Sequence, residues 1–553
     1  MKRLLLILTV IVVLVFPALT LAQETPVYIN WIPSDFDGFV RVSMDNPAQA
    51  VEQMNFGLYI VSILQPLRLA GITEVPGLNQ YFPLDMLDLE QASFEQNVTP
   101  WLGDEVVIAY RELGANFQAD ANNTLMILPA FDSFTSATIM GSVIRGQDLL
   151  QRDPYRGNII YVGDQTAIAI TPQAILIGSE AILRATIDTM FGESESLTAN
   201  PLYQQIHAQL PAESPISAYV SGEAAAAALP MFLGGSDDAL LSAFGGALEG
   251  GTAAAMLNGN VNAMGLSYDF NLTSQNEVRA TVILATENDV DAAFDSAVLD
   301  FIPRSAMIVH SGADGLTAGE HALTAFPLYT FAPFALSSFG VPPLGVPLPT
   351  PSSEDITQVI ERFSAAVDAA YNINLREDLL AHLDGSYAVA VIPRPNNPIP
   401  LWDMPVEVLL IAHVDNPDET IDSLLTLIES FIDDRFERER IDGNAFFTLT
   451  APDSDAPLLK MGSVDHWLVI GSGESVDAAL AAYGGDNRLT AQTRWTMLAE
   501  ETLPNVYVDV NSYLNTFFPQ EGGLTQSRVT QMGVYWHSME GGLFQIDAIV
   551  KLS

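Results

Sequence analysis

The stretch Ala174-Ile175-Leu176-Ile177-Gly178-Ser179 decides the fold, because a short apolar run leads directly into a segment, 180–191, whose apolar residues recur at helical spacing. A run of this length predicts a β-strand, and the apolar residues of 180–191 have helical spacing. Trp467-Leu468-Val469-Ile470-Gly471-Ser472 repeats the same order before another helical pattern at 474–482. The sequence therefore predicts a strand-then-helix unit that occurs twice.

Other short phrases recur in the same order along the chain, which is the signature of an internal repeat. The matched pairs are Trp31-Ile32-Pro33 with Phe301-Ile302-Pro303, Leu102-Gly103-Asp104 with Leu383-Asp384-Gly385, Gly157-Asn158 with Gly443-Asn444, Leu197-Thr198-Ala199 with Leu489-Thr490-Ala491, Leu210-Pro211 with Leu503-Pro504, and Met264-Gly265 with Met532-Gly533. Each match is short, but their colinearity predicts a duplication. We expect Ile175 to correspond to Leu468, and Leu210 to Leu503.

Short β-rich runs separated by turn residues predict antiparallel strands, since a parallel pair needs a long crossover. The predicted strands are 106–110, 125–128, 158–162, 166–170, 174–177, 216–220, 387–392, 406–413, 444–449, 457–461, 467–470 and 506–510. The predicted helices are 132–143, 180–191, 418–431 and 474–482, the third opened by Asn416 as N-cap, Pro417 at N1 and Glu419 at N3. The fold class is therefore α+β, with two related halves that are each a mostly antiparallel sheet with helices packed on it.

The N-terminus has the pattern of a secretory signal peptide. Lys2 and Arg3 precede an apolar run at 4–16, Pro17 ends that run, and Thr20-Leu21-Ala22 supplies small residues for cleavage. We expect domains at 1–22 (signal peptide), 23–30 (linker), 31–295 (first half) and 296–553 (second half, with a proline-rich loop at 342–351). An uncleaved segment that tethers the protein to the membrane is the alternative. Either way we expect an exported protein that is secreted, periplasmic or on the cell surface.

Composition excludes several function classes. The chain has 67 acidic residues against 22 basic ones and a net charge of −45, so it repels nucleic acid. It contains no cysteine, which excludes disulfides, thiolate catalysis and cysteine-bound metals. Hydrophobic residues make up 49%, enough for a large core.

The chain resembles the exported bacterial proteins grouped as domain of unknown function 3352. The residues that carry the resemblance are Trp31-Ile32-Pro33, the helix start Asp45-Asn46-Pro47, Pro100-Trp101-Leu102-Gly103-Asp104-Glu105 and the stretch 174–179. The resemblance implies a signal-bearing envelope or secreted protein. It supplies no activity, cofactor or catalytic residue.

No catalytic, cofactor or metal residue is assigned from the sequence. The seven histidines are scattered without a His-Glu-x-x-His motif, so they predict core or surface positions rather than zinc ligands. Gly471-Ser472-Gly473 superficially suits a nucleophile or an anion-binding turn, but Gly178-Ser179-Glu180 lacks the second glycine. Ser179 and Ser472 are better explained as helix N-caps.

Two charged features have simple interpretations. Acidic pairs such as Asp237-Asp238, Asp433-Asp434 and Asp453 with Asp455 are expected among so many carboxylates, and they leave weak divalent-cation binding open. The run 432–441 predicts a solvated helix end with internal ion pairs, in preference to a partner-docking patch.

Three charge-poor segments, 54–87, 224–256 and 322–349, are rich in apolar residues. We interpret them as core helices and loops, with an apolar groove for a lipid, a hydrophobic polypeptide or the membrane surface as the alternative. The leading functional hypothesis is a non-catalytic binding or structural protein of the cell envelope or extracellular space. The alternatives are an exported hydrolase with carboxylates at the junction of the halves, and a carrier or chaperone for apolar ligands.

Overall fold

A computed structural model describes the parts of the chain that form the sheet and the helices packed on it. The described residues are 28–43, 103–112, 123–130, 138, 144, 149–152, 154–163, 166–211, 214–222, 224–225, 261–271, 277–286, 294–313, 365, 385–394, 405–431, 436–441, 443–450, 457–485, 487–498, 503–517 and 529–552. The predicted signal peptide, most of the predicted helix 132–143 and the proline-rich loop 342–351 lie outside them. No helix in these described ranges is long and apolar enough to cross a membrane.

Twenty strands form in the described residues. They are β1 Gly38–Ser43, β2 Glu105–Tyr110, β3 Thr124–Pro129, β4 Leu150–Gln151, β5 Ile159–Val162, β6 Ala167–Ile170, β7 Ala174–Gly178, β8 Ile216–Ser221, β9 Val261–Asn271, β10 Glu277–Thr286, β11 Ile308–Gly312, β12 Tyr387–Pro393, β13 Val406–His413, β14 Glu437–Ile441, β15 Asn444–Thr450, β16 Pro457–Val464, β17 Trp467–Ser472, β18 Val506–Asp509, β19 Val529–Met539 and β20 Leu543–Leu552. Every pairing between them is antiparallel, as the sequence predicts.

The strands form one continuous sheet. Its first part runs in the order β4, β5, β6, β7, β3, β2, β1, β8, β9 and β10. Pairing of β10 with β20 joins this part to the second, which runs β20, β19, β18, β11, β12, β13, β17, β16, β15 and β14. The strand junction between β10 and β20 therefore lies at the middle of the sheet.

Six α-helices form in the described residues, and α2 and α3 begin at polar residues that favour a helix start. They are α1 Glu180–Met190, α2 Pro201–His207, α3 Pro417–Phe431, α4 Ser475–Tyr483, α5 Thr493–Thr496 and α6 Val510–Phe517. Asn200 caps α2 by accepting a hydrogen bond from the Leu202 amide at 2.9 Å. The predicted start of α3 is confirmed, and Asn416 Nδ2 donates to Glu419 Oε2 at 2.7 Å.

Apolar residues fill both faces of the sheet, since alternate residues of each strand point to opposite faces. On one face, which we call the helix face, Ile182, Leu183 and Ile187 of α1 pack with residues such as Leu176, and α4 packs there in the same way. On the opposite face, Ile421 and Leu424 of α3 pack against the second part of the sheet.

One predicted element is wrong. The run 432–441 contains β14 rather than a helix end, and its residues Glu437, Arg438, Glu439 and Arg440 are all exposed. The charges do not form pairs within one helix, because residues one apart on a strand lie on opposite faces. Glu439 instead makes an ion pair with Lys460 on β16 at 2.7 Å.

Candidate functional site

Polar side chains interrupt the helix face where β10 and β20 meet. Most other strand residues on this face belong to the core, although the Arg41–Glu105 pair, Glu407 and Asp509 also interrupt it. The polar set at the junction is distinguished by lying on both parts of the sheet. We call this set the junction band. It comprises Ser267, Glu277, Arg279, Thr281, Gln531, Gln545, Asp547 and Lys551.

Strand register brings the band together. Thr281 pairs with Asp547 across the junction and with Ser267 on its other side, while Glu277 pairs with Lys551. Directly opposite residues share a face, so these side chains lie beside one another. Thr281 is 4% exposed and Ser267 is 2% exposed, which places this row below the surface.

The centre of the band is a hydrogen-bonded triad. Thr281 Oγ1 donates to Asp547 Oδ1 at 2.5 Å, and Gln545 Nε2 donates to Asp547 Oδ2 at 2.6 Å. Both carboxylate oxygens of Asp547 therefore have a donor within the protein. Hydrogen bonds to a charged acceptor are stronger than neutral ones, so this triad fastens the two parts of the sheet to each other.

One end of the band is an ion-pair cluster around Glu277. Its side chain, only 6% exposed, makes a short ion pair with Lys551, and Arg279 approaches it at 3.4 Å. Arg279 is 48% exposed, so it is the band's most accessible cation. A buried carboxylate requires such partners, because an unpaired charge in the interior is costly.

Tyr535 covers the band from β19. Its hydroxyl donates to the backbone oxygen of Leu498 at 2.6 Å. Burial raises the pKa of Tyr535 well above its usual range; Arg279 opposes the rise, and Glu277 and Asp547 add to it. The phenol therefore stays protonated and acts as a hydrogen-bond donor.

The spacing of the two junction carboxylates bears on hydrolysis. Glu277 and Asp547 differ by four positions along paired strands, which separates their backbones by about 13 Å at the usual rise per residue. Lys551 and Arg279 contact Glu277. Thr281 and Gln545 donate hydrogen bonds to Asp547. Both carboxylates are therefore engaged by the protein itself, which favours a structural role over proton exchange with a substrate.

Other buried carboxylates are paired in the same manner. Glu105 makes a short ion pair with Arg41 in the first part of the sheet, and Asp509 accepts from Arg494 at 2.9 Å in the second. The chain has only 22 basic residues, and these two arginines neutralise buried carboxylates.

The Gly471-Ser472-Gly473 turn binds a carboxylate of the protein itself. The Glu474 amide donates to Glu407 Oε1 at 2.7 Å, so the anion-binding site suggested by the sequence has an internal occupant. Burial raises the pKa of Glu407, whereas this backbone donor and Arg394, 3.0 Å away, lower it.

The prediction that Ser472 is an N-cap is wrong. Ser472 is the last residue of β17, and its Oγ accepts from the Val408 amide at 2.9 Å. Glu474 occupies the cap position of α4 instead. Ser179 does occupy the cap position of α1, although its side chain makes no capping hydrogen bond.

No group of His, Cys, Asp or Glu within the described ranges is arranged to hold a metal ion. His310 lies beside Tyr387 and Trp536, and burial lowers its pKa to about 4. His413 and His466 have ring centroids 6.0 Å apart. His321 and His382 lie outside the described residues.

Several other predicted features also lie outside the described residues. These are the acidic pairs at 237–238, 433–434 and 453–455, and the apolar segments 54–87, 224–256 and 322–349, apart from Ala224 and Ala225. The junction band was not predicted. Its only sequence signal is the alternation of Glu277, Arg279 and Thr281 within a β-rich run.

Comparison with known proteins supports the family resemblance. Residues 78–242 match the family described as "Protein of unknown function (DUF3352)". A search of the curated proteins gave no match. Among solved structures, the chain is similar to crystal form III of a protein named TP0453, with 9% identity, a TM-score of 0.26 and coverage of 48% of this chain and 81% of that one. Crystal form I of the same protein gives 11% identity, a TM-score of 0.26, and coverage of 49% and 82%.

Proposed function

We propose that the protein is an exported, non-catalytic binding or structural protein of the cell envelope or extracellular space. The observation that carries the non-catalytic part is the junction band, where Glu277 and Asp547 are held by hydrogen-bond donors and cations of the protein itself. The exported part rests on the signal-peptide pattern at 1–22. A hydrolytic site instead needs a carboxyl group that is left to exchange a proton with substrate.

We also propose that 31–295 and 296–553 are two copies of one module. The order of strand pairing supports this, because β1 lies between β2 and β8 just as β11 lies between β12 and β18. Ile175 on β7 pairs with Leu128 on β3, and Leu468 on β17 pairs with Ala412 on β13. In each proposed copy the predicted corresponding residue thus lies on the strand that follows the same neighbour in the sheet, which supports the proposal.

Backbone contacts at the two repeated Ile-Pro phrases agree with the same proposal. The Leu197 amide donates to the Ile32 oxygen at 2.9 Å, and the Leu489 amide donates to the Ile302 oxygen at 2.8 Å. A tandem copy with a continuous sheet suits a rigid scaffold, since the shared strands β10 and β20 leave little freedom between the copies.

The hydrolase alternative is tested with the chain that begins after Ala22. The purified protein and its Glu277→Gln and Asp547→Asn variants are assayed with chromogenic glycosides, esters and phosphates. We expect no turnover by the wild type above that of the variants. Turnover that either variant abolishes, with folding retained by circular dichroism, would replace the binding proposal with catalysis.

Export is tested separately with the full chain in a bacterial host. We expect the protein outside the cytoplasm, and mass spectrometry of its N-terminus to show cleavage after Ala22. Ile7→Asp with Ile11→Asp, which breaks the apolar run, serves as the control and is expected to stay inside. Equal distribution of both forms would refute export.

A carrier of apolar ligands is the second candidate function. The face opposite the junction band is apolar, and Met264, Leu284 and Phe544 lie there in neighbouring strands; each is 2% exposed or less, so the chain itself covers them, and a ligand would enter beneath that cover. Hairpin connections usually have two to five residues, yet roughly 60 and 75 residues separate β1 from β2 and β11 from β12. Titration with a dansyl-labelled fatty acid and with phosphatidylcholine vesicles tests this candidate, and no fluorescence change with either would remove it.

A further inference from the structure

The strand β14 forms an exposed edge of the sheet. Among the described residues it pairs only with β15, and Glu437 through Arg440 are all exposed. An edge strand presents unpaired backbone N–H and C=O groups, which is a template for another strand. Natural edges are protected against unwanted pairing, so the side chains of β14 decide what it accepts.

The charges of β14 are sorted by face. Glu437 and Glu439 lie on the helix face, while Arg438 and Arg440 lie on the opposite face, since side chains alternate along a strand. Lys460 contacts Glu439 at 2.7 Å. The Arg438 guanidinium lies 5.5 Å from the centre of the Phe447 ring. These contacts hold Glu439 of the glutamate row and Arg438 of the arginine row in place.

This arrangement disfavours antiparallel pairing with a second copy of the same strand. Residues that face each other across paired strands always share a face of the sheet. Antiparallel pairing of β14 with itself through its free edge keeps the helix faces of both copies on one side, so it sets glutamate against glutamate and arginine against arginine. Like charges in that position are destabilising. Parallel pairing turns one copy over and sets glutamate against arginine, so dimerisation is one of the outcomes of the test below.

Protection alone does not explain the arginines. The chain has three acidic residues for each basic one, so carboxylates alone would be the ordinary means of charging an edge. The opposite edge, β4, is only Leu150–Gln151, and its shortness limits pairing. By contrast, β14 has five residues, and two of them are arginines that alternate strictly with glutamates.

We propose that β14 is a docking edge for an extended segment of another protein, which adds as an outer strand with basic residues on one face and acidic residues on the other. Main-chain hydrogen bonds supply the attraction, and the two charged rows select the partner. This surface is distinct from the junction band, and its test does not depend on the proposed function.

The test uses two synthetic peptides of identical composition. One alternates lysine and glutamate, and the other carries all its lysines before all its glutamates, so long-range attraction to the acidic protein is matched. Binding is followed by fluorescence anisotropy, and hydrogen exchange is followed for the amides of 437–441. We expect only the alternating peptide to slow exchange there, with binding that weakens as salt is added.

Variants make the result specific. Arg438→Gln with Arg440→Gln removes one charged row, and we expect about a fivefold loss of affinity, from about 0.5 kcal/mol for each cross-strand pair. Arg152→Gln with Arg184→Gln removes two arginines near the other edge and is expected to change nothing. Equal binding of both peptides, unchanged exchange at 437–441, or dimerisation of the wild type through this edge would each overturn the proposal.

Discussion

Acidification from pH 7.5 to 5.0 is expected to weaken the fold through His310. This side chain lies on β11, with Tyr387 Oη 3.3 Å from its Nε2 and the Trp536 ring centroid 5.9 Å from its own. Burial lowers the pKa of His310 to about 4 from an ordinary value of 6.5. The folded protein therefore keeps this imidazole neutral at pH values where the unfolded chain protonates it.

The sign and size follow from proton linkage. A histidine whose pKa is depressed by folding contributes stability that is complete above pH 6.5 and is lost as pH falls towards 4. The unfolded chain is largely protonated at pH 5.0 and the folded protein is not, so the free energy of unfolding falls by about 2 kcal/mol from this group. The range stays above the isoelectric point of about 4.1, which limits aggregation.

Urea unfolding followed by tryptophan fluorescence measures the effect. His310→Phe keeps a planar ring but cannot titrate, so we expect it to lose about 2 kcal/mol less than the wild type between the two pH values. His466→Phe changes an exposed histidine and is the matched control. If wild type and His310→Phe lose equal stability, a neutral imidazole at His310 in the folded protein at pH 5.0 is refuted.

Four further substitutions test the polar contacts. Gly473→Ala is expected to destabilise the fold by about 2–4 kcal/mol in thermal or urea unfolding, because Gly473 has φ of 59° and a Cβ there would overlap Glu407; an effect below 0.5 kcal/mol would contradict this. Lys460→Met is expected to cost only about 1 kcal/mol, since the two carboxylates it leaves behind are about half exposed and regain water; a loss above 3 kcal/mol would show that they are effectively buried. Thr281→Val and Asp547→Ala are each expected to cost about 1–3 kcal/mol, with a double variant that costs less than their sum; strict additivity would mean that the two groups do not interact.

The strands that the sequence predicts best are the short apolar runs. The run 174–178 carries its own evidence, because continuous apolar residues and a following helical period each restrict the choice. The long strands β9, β10, β19 and β20 were not predicted. Their polar residues, such as Thr281 and Asp547, break the apolar pattern, and only pairing across the junction explains them.

The sequence also misplaced β14 for a physical reason. Four alternating glutamates and arginines contain no apolar residue, and closely spaced opposite charges are typical of a solvated helix. Hydrogen bonding to β15 makes this segment a strand. That pairing depends on the turn at Gly443, and on Phe446 and Phe447, which pack on opposite faces of the sheet. Neither contribution can be read from the charges of 437–440.

The candidate site was beyond sequence analysis because its members come from the last strands of the two proposed copies, at 261–286 and 529–552, which are far apart in the sequence. If the halves are copies, the register places Arg41 and Glu105 at the positions of Ser311 and Ser386 in the second half. Ser311 Oγ donates to the backbone oxygen of Pro504 at 3.4 Å, so a neutral hydroxyl occupies this position of the second half without an ion pair. The first half instead buries a full ion pair at the same place, where a pair of charges seldom adds net stability. Packing alone therefore does not account for the ion pair in the first half.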